Sequence, residues 1–193
     1  MKNILYILFC FFGIVSCNEN DKNSNIKETN PILIKIGYYP SFHQPAETIL
    51  NLNEKYLLFY SPTSYNPPPP PPPRKNGNLS IQEKNEYTKY LNENPELKPF
   101  KSNLSEIDIK KVNDIVNSFQ VSDFNDKNLK PALDGMSTNI IILYSDGKIV
   151  QINPMNVPNA KQSQLYTEIL NIVSEKNTDK NNLIIIQKIQ NYN

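Results

Sequence analysis

The chain has two cysteines, five glycines, one histidine and no tryptophan in 193 residues. Both cysteines, Cys10 and Cys17, lie at the start, so the chain beyond them has no thiol for a disulfide or for a cysteine-based zinc site, and its stability must come from an ordinary core. The scarcity of glycine matches the absence of any Gly-x-x-x-x-Gly-Lys-Ser/Thr loop or Gly-x-Gly-x-x-Gly turn, which argues against phosphate-cradling nucleotide chemistry. Without tryptophan, a common sugar-stacking platform is missing. Glu106, Asp108 and Asp114 read better as a helix start and a solvated face than as a glycosidase pair. A formal net charge of +1 gives no electrostatic footprint for nucleic acid. The abundance of Asn, Lys and Ile reflects base composition more simply than a functional tract.

What is present begins with Lys2, a nearly unbroken apolar run from Ile4 to Val15, then Ser16 and Cys17, after which the chain turns polar. This is the tripartite layout of an export signal. The apolar run is well short of the roughly 20 residues that span a hydrocarbon core, so a signal that is removed is expected rather than a permanent membrane helix. Ile14-Val15-Ser16-Cys17 resembles the lipobox of bacterial lipoproteins. That resemblance implies lipidation of the Cys17 sulfur, cleavage before it and acylation of the new amine. One acyl chain holds a protein only marginally at about 0.8 kcal/mol per buried CH₂, whereas two or three anchor it stably. Asn18 stands where an aspartate would signal inner-membrane retention, so the resemblance implies the outer membrane. Glu19 and Asp21 resemble the acidic tags that send some lipoproteins to the cell surface.

The expected organisation is a signal peptide over residues 1–16, a lipidated cysteine with a flexible tether over 17–30, and one α+β domain over 31–193. The tether follows from a run of Asn, Glu, Asp, Lys, Ser and Thr with little to bury. Ile32 to Tyr39 and Lys55 to Tyr60 read as strands, the second entered from a turn at Asn51 to Glu54 that pairs it with the Ile49-Leu50 end. Pro67 to Pro73 is an unbroken proline run, which cannot enter a sheet and favours polyproline II; residues 61–77 are therefore expected to form an exposed excursion.

Ser80 to Glu83 has capping-box spacing, with Tyr87, Tyr90 and Leu91 at helical intervals, so a helix ending before Pro95 is expected, with a strand over Leu79 to Ile81 as the rival. Ser105 to Asp108 opens a second helix with a stripe of Ile109, Val112, Ile115, Val116 and Phe119. Asn139 to Tyr144 and Lys148 to Ile152 flank Ser145-Asp146-Gly147, a hairpin. Asn159 caps a further helix, and Leu183 to Ile189 reads as a last strand. The expected architecture is an antiparallel sheet with two or three helices on one face. The order from Ser105 to Lys176, including Phe124 and Asp134-Gly135, resembles small domains of unknown function in bacterial lipoproteins, a group with no activity to transfer.

Candidate chemistry is sparse. His43 lies in Pro40-Ser41-Phe42-His43-Gln44-Pro45, where zinc would need carboxylates alone to complete its shell. A Ser41–His43–Asp triad lacks a nucleophile elbow. Asp123 to Asn128 begins like a calcium loop, but Lys127 occupies a ligand position and the required Gly and terminal Glu are absent. The proline run, with Tyr60, Tyr65 and Arg74 nearby, reads as a spacer or as a recognition arm. The expectation is a non-enzymatic envelope binding domain with no cofactor, no metal and no nucleic-acid partner, held to the membrane by lipid on Cys17 and open to a protein partner. The alternatives are an immunity protein or inhibitor of a toxin or hydrolase, a subunit of an outer-membrane assembly, and a hydrolase using Ser41 and His43.

Overall fold

The computed structural model describes residues 29–41, 43–67, 79–124, 135–153 and 158–192. Six strands, β1 (Pro31–Pro40), β2 (Ala46–Asn51), β3 (Tyr56–Tyr60), β4 (Phe100–Asn103), β5 (Met136–Tyr144) and β6 (Ile149–Ile152), form one sheet in the order β4-β3-β2-β1-β5-β6. Every neighbouring pair is antiparallel. β2 and β1 lie at the centre of that order; β1 and β5 are the two longest strands, and they pair from Pro31↔Tyr144 to Pro40↔Met136. Side chains alternate across a strand, so Ile34, Ile36 and Tyr38 on β1 share a face with their registered partners Leu50, Thr48 and Ala46 on β2. Ile142, Ile140 and Thr138 continue that face on β5. All nine are buried, and this face is the floor of the core.

Four helices occur among the described residues: α1 (Ile81–Glu93), α2 (Glu106–Asn117), α3 (Ala160–Lys176) and α4 (Lys180–Gln190). Ser80, Ser105 and Asn159 cap the first three with reciprocal capping boxes to Glu83, Asp108 and Gln162, each leaving two fewer orphan backbone donors. Val112, Ile115 and Val116 of α2, Leu165, Tyr166 and Ile169 of α3, and Ile185, Ile186 and Ile189 of α4 join one apolar cluster with the sheet floor. Tyr166 ties the layers: its hydroxyl accepts from Thr138 Oγ1 at 3.0 Å, and its ring stands edge-on to Tyr38. α1 buries no side chain in this core.

The α+β expectation, an antiparallel sheet with helices packed against it, holds. The Ser145-Asp146-Gly147 turn joins β5 and β6 as expected, with Gly147 at φ +86°, a conformation glycine adopts without strain. The rival strand at Leu79 to Ile81 gives way to the capped start of α1.

Two details differ. Leu183 to Ile189 lies inside α4 and is no strand. Its isoleucines favour a strand by propensity, but the buried positions Asn182, Ile185, Ile186 and Ile189 follow a helical i, i+3, i+4, i+7 period, and burial of that stripe overrides propensity. The edge strand β4, FKSN, has too short and polar a pattern to be read from sequence. None of the described helices is long and apolar enough to cross a membrane.

Candidate functional site

A cleft of about 310 Å³ opens where four segments meet: the β1–β2 connection (Ser41, His43, Gln44, Pro45), residues 63–67 after β3, the end of α1, and the last turns of α4. Prolines flank it: Pro40 ends β1, Pro45 immediately precedes β2 and Pro95 follows the end of α1, each restricting the chain where it enters or leaves an element, and Pro45, Pro67 and Pro95 line the opening. Its lining is mainly apolar in area, with Tyr65, Tyr90, Ile185 and Ile189 among its residues.

Asn94 organises the polar part. It is the C-cap of α1, its backbone N–H donating to Tyr90 O, and its carbonyl accepts from the Tyr65 hydroxyl at 2.7 Å. Its Oδ1 accepts from Lys188 Nζ at 2.8 Å. Gln44 pins the opposite wall, its Oε1 accepting from Leu97 N–H at 2.9 Å. Two helices end at this cleft, α1 at Glu93 and α4 at Gln190, and both turn the negative end of the helix dipole toward it. Lys188 supplies the offsetting positive charge. Burial pushes its ammonium below the ordinary lysine range, with Glu93 pulling the other way, and Glu93 itself lies 3.8 Å from Lys89. The cleft is therefore close to electroneutral.

His43 lines the same cleft, with its ring edge-on to Tyr192. Burial, then the charge of Lys188, push its imidazole below the ordinary range, so it is neutral at pH 7. Its Nδ1 is enclosed without a hydrogen-bond partner among the described residues.

Ser41, the paper nucleophile, also lines the cleft, but its hydroxyl donates to Gly135 O at 2.8 Å. The structure thus brings Ser41, His43 and Tyr65 to one place, and the acidic group that joins them there is Glu93. Asp123 is engaged otherwise. Its carboxylate accepts from Gln120 N–H at 2.8 Å and Asn159 Nδ2 at 3.1 Å, holding a 3₁₀ turn (Val121–Phe124) against the start of α3. The rest of the calcium-like loop, Arg74, the prolines after Pro67, and the segment containing Cys17 lie outside the described residues. Among the described residues no group of three or more His, Cys, Asp or Glu side chains is placed to hold a metal ion.

Sequence reasoning missed a second polar cluster, on the sheet face opposite the core. Glu47 on β2 is 4% exposed, yet it carries a carboxylate. Lys35 Nζ lies 2.7 Å from it, Tyr39 donates to Oε1 at 2.5 Å, and Tyr60 donates to Oε2. Burial alone raises the Glu47 carboxyl, but these three donors outweigh it and hold it below its usual range. The same contacts, after burial, push Tyr39 and Tyr60 up to about 12. Gly37, opposite Glu47, makes the arrangement possible. A Cβ there would lie 2.5 Å from Tyr39 Cε2 and 2.5 Å from Asn139 Oδ1, so only glycine lets the Tyr39 ring lie across the strand toward Glu47. The carboxylate accepts from three side chains and is a closed knot in the sheet rather than an open site. The cleft is the better candidate for binding.

The fold and cleft define an α+β domain with a mixed apolar and polar opening at one end of an antiparallel sheet. Comparison of the chain with protein-family models, curated proteins and solved structures returned no match.

Proposed function

We propose that this chain is a non-enzymatic binding domain of the bacterial envelope, anchored through lipid on Cys17 and presenting the cleft between α1 and α4 to a partner. The observation that carries the binding part is the cleft's construction. Apolar and aromatic walls surround a half-buried ammonium whose hydrogen-bond partner is a neutral amide oxygen, Asn94 Oδ1. Concave, mostly apolar sites with a few placed polar groups are what ligand recognition requires. A catalytic reading draws less support, since the Ser41 hydroxyl is turned onto a backbone carbonyl. The anchor rests on the sequence from Lys2 to Cys17, and the outer membrane on Asn18.

The test is capture. Full-length protein extracted in detergent and immobilised is exposed to envelope extracts and culture supernatants, beside a Thr63→Trp variant that fills the rim of the cleft from an exposed position. Capture of a protein that Thr63→Trp abolishes supports the reading. A captured toxin or hydrolase would specify an immunity or inhibitor role, and a membrane complex an assembly role. Capture of nothing above background, or capture that Thr63→Trp leaves unchanged, would remove the cleft from the account.

A further inference from the structure

We propose that the cleft accepts an extended proline-rich segment, and that its occupant is the Pro67–Pro73 run of a second copy of this chain. The inference rests on the binding role proposed for the cleft and names its ligand. Three observations carry it.

The first is the chemistry of the walls. Tyr65, Tyr90, Pro45 and Pro95 offer rings against which pyrrolidine rings pack, and the buried Ile185 and Ile189 add apolar lining. Aromatic-lined grooves recognise proline-rich segments because the preformed extended helix loses little entropy on docking.

The second is hydrogen bonding and charge. A polyproline II strand has no internal hydrogen bonds and a run of prolines has no N–H groups, so its carbonyls seek donors and it carries no charge. Lys188 Nζ has three donors and spends one on Asn94 Oδ1 at 2.8 Å. With Lys188 offsetting two helix ends and Glu93 near Lys89, the cleft suits an uncharged acceptor strand better than an ion.

The third is where the run starts. Pro67, its first residue, is itself part of the cleft wall. Seven consecutive prolines favour polyproline II by sequence, at about 3.1 Å per residue, and a segment of that character joined to its own cleft at Pro67 is suited to reach a neighbour's cleft rather than its own. A reciprocal exchange between two copies is closed and symmetric, the arrangement that halts at a dimer.

The probe is a capped peptide of the sequence Tyr65 to Lys75, compared with the same peptide carrying serine in place of the six prolines after Pro67. Binding to the full-length protein in detergent is followed by chemical-shift changes and calorimetry, and self-association by sedimentation. The expected result is saturable binding of the proline peptide at least tenfold tighter than the serine peptide, with shifts at Tyr65, Tyr90 and Ile189. Tyr90→Ala, at an exposed position, should weaken it about tenfold without changing the melting temperature, Tyr90→Phe should restore it, and Lys188→Met should weaken it. The full chain should dimerise with concentration, and serine in place of Pro68 to Pro73 should abolish the dimer.

Equal binding of the two peptides, or unmoved cleft signals at saturating peptide, overturns the inference while the capture experiment still decides the binding role. Peptide binding in a chain that stays monomeric at every concentration overturns the second copy as occupant.

Discussion

Thr48 faces the core side of β2 with its hydroxyl fully enclosed and with no hydrogen-bond partner among the described residues. An enclosed polar group without a partner costs roughly 1–3 kcal/mol, so Thr48→Val, which swaps the hydroxyl for a methyl, should stabilise the domain by about 1 kcal/mol. Urea denaturation checks this, and a lowered midpoint would point to a buried water bonded to the hydroxyl. Glu47 makes the opposite case, a carboxylate that is enclosed and fully bonded. Because its folded pKa lies below the ordinary value, its contribution is present above the ordinary carboxylate range and is lost as pH falls through the folded pKa. Urea midpoints should therefore fall as pH drops through and below the ordinary carboxylate range, and Glu47→Gln should lower the neutral-pH midpoint and flatten that fall. An unflattened profile would assign acid sensitivity to another group, with Asp108, held low against its burial by Lys176 and Ser105, the next to test. Neither residue was legible in the sequence. Lys35, Tyr39, Glu47 and Tyr60 sit on three strands, and only the register Gly37↔Glu47 and Glu47↔Tyr60 brings them together.

At the scale of elements, what the sequence revealed tracks how local the determining interactions are. The boxes at Ser105 and Asn159 and the Asp146-Gly147 turn act within four residues, and each marked its element correctly. α4 depended on distant packing, and β-branched side chains disguised it, although Asp179 was a visible cap whose Oδ1 accepts from the N–H groups of Asn181 and Asn182. The cleft followed the same logic. His43 and Tyr65 were noticed as residue types, whereas Lys188 and Asn94, 94 positions apart, meet only because α4 is a helix. Asn182 fixes that helix in place. Its Oδ1 accepts from Lys98 N–H at 2.9 Å and its Nδ2 donates to Lys98 O at 2.8 Å, so a buried amide pairs with the backbone just before β4. Asn182→Ala should cost about 1–3 kcal/mol, since both Lys98 groups lose their partner. Asp179→Ala should cost nearer 1 kcal/mol, as a cap does; its ion pair with Lys98 adds little because the lysine is exposed. Denaturation of both variants gives the comparison, and a larger loss at Asp179 would make the helix cap, not the amide clasp, the main attachment of α4.

For the whole molecule, the proposed lipid anchor at Cys17 would set where the domain works. The near-neutral net charge offers no general attraction to an anionic surface, and no described helix is apolar and long enough to span a bilayer. On the proposed reading, membrane residence rests on the lipid alone. Residues 18–30, polar except for Ile26, would span at most about 45 Å when extended, enough for the cleft to meet partners beyond the headgroups, and for two copies on one membrane to exchange proline runs at the raised local concentration that shared anchoring gives. Cys17→Ser tests the dependence directly. In cells fed a labelled fatty acid, the wild-type chain should carry label and sediment with membranes, at the mobility of a chain lacking residues 1–16. The serine variant should carry no label and keep the precursor's mobility, because the resembled processing route cuts only after the thiol is modified. Label retained by Cys17→Ser, or a wild-type chain found unlabelled in the soluble fraction, would end the anchoring proposal. Any dimer that persisted would then have to form without the membrane, at concentrations that sedimentation of the unanchored chain can measure.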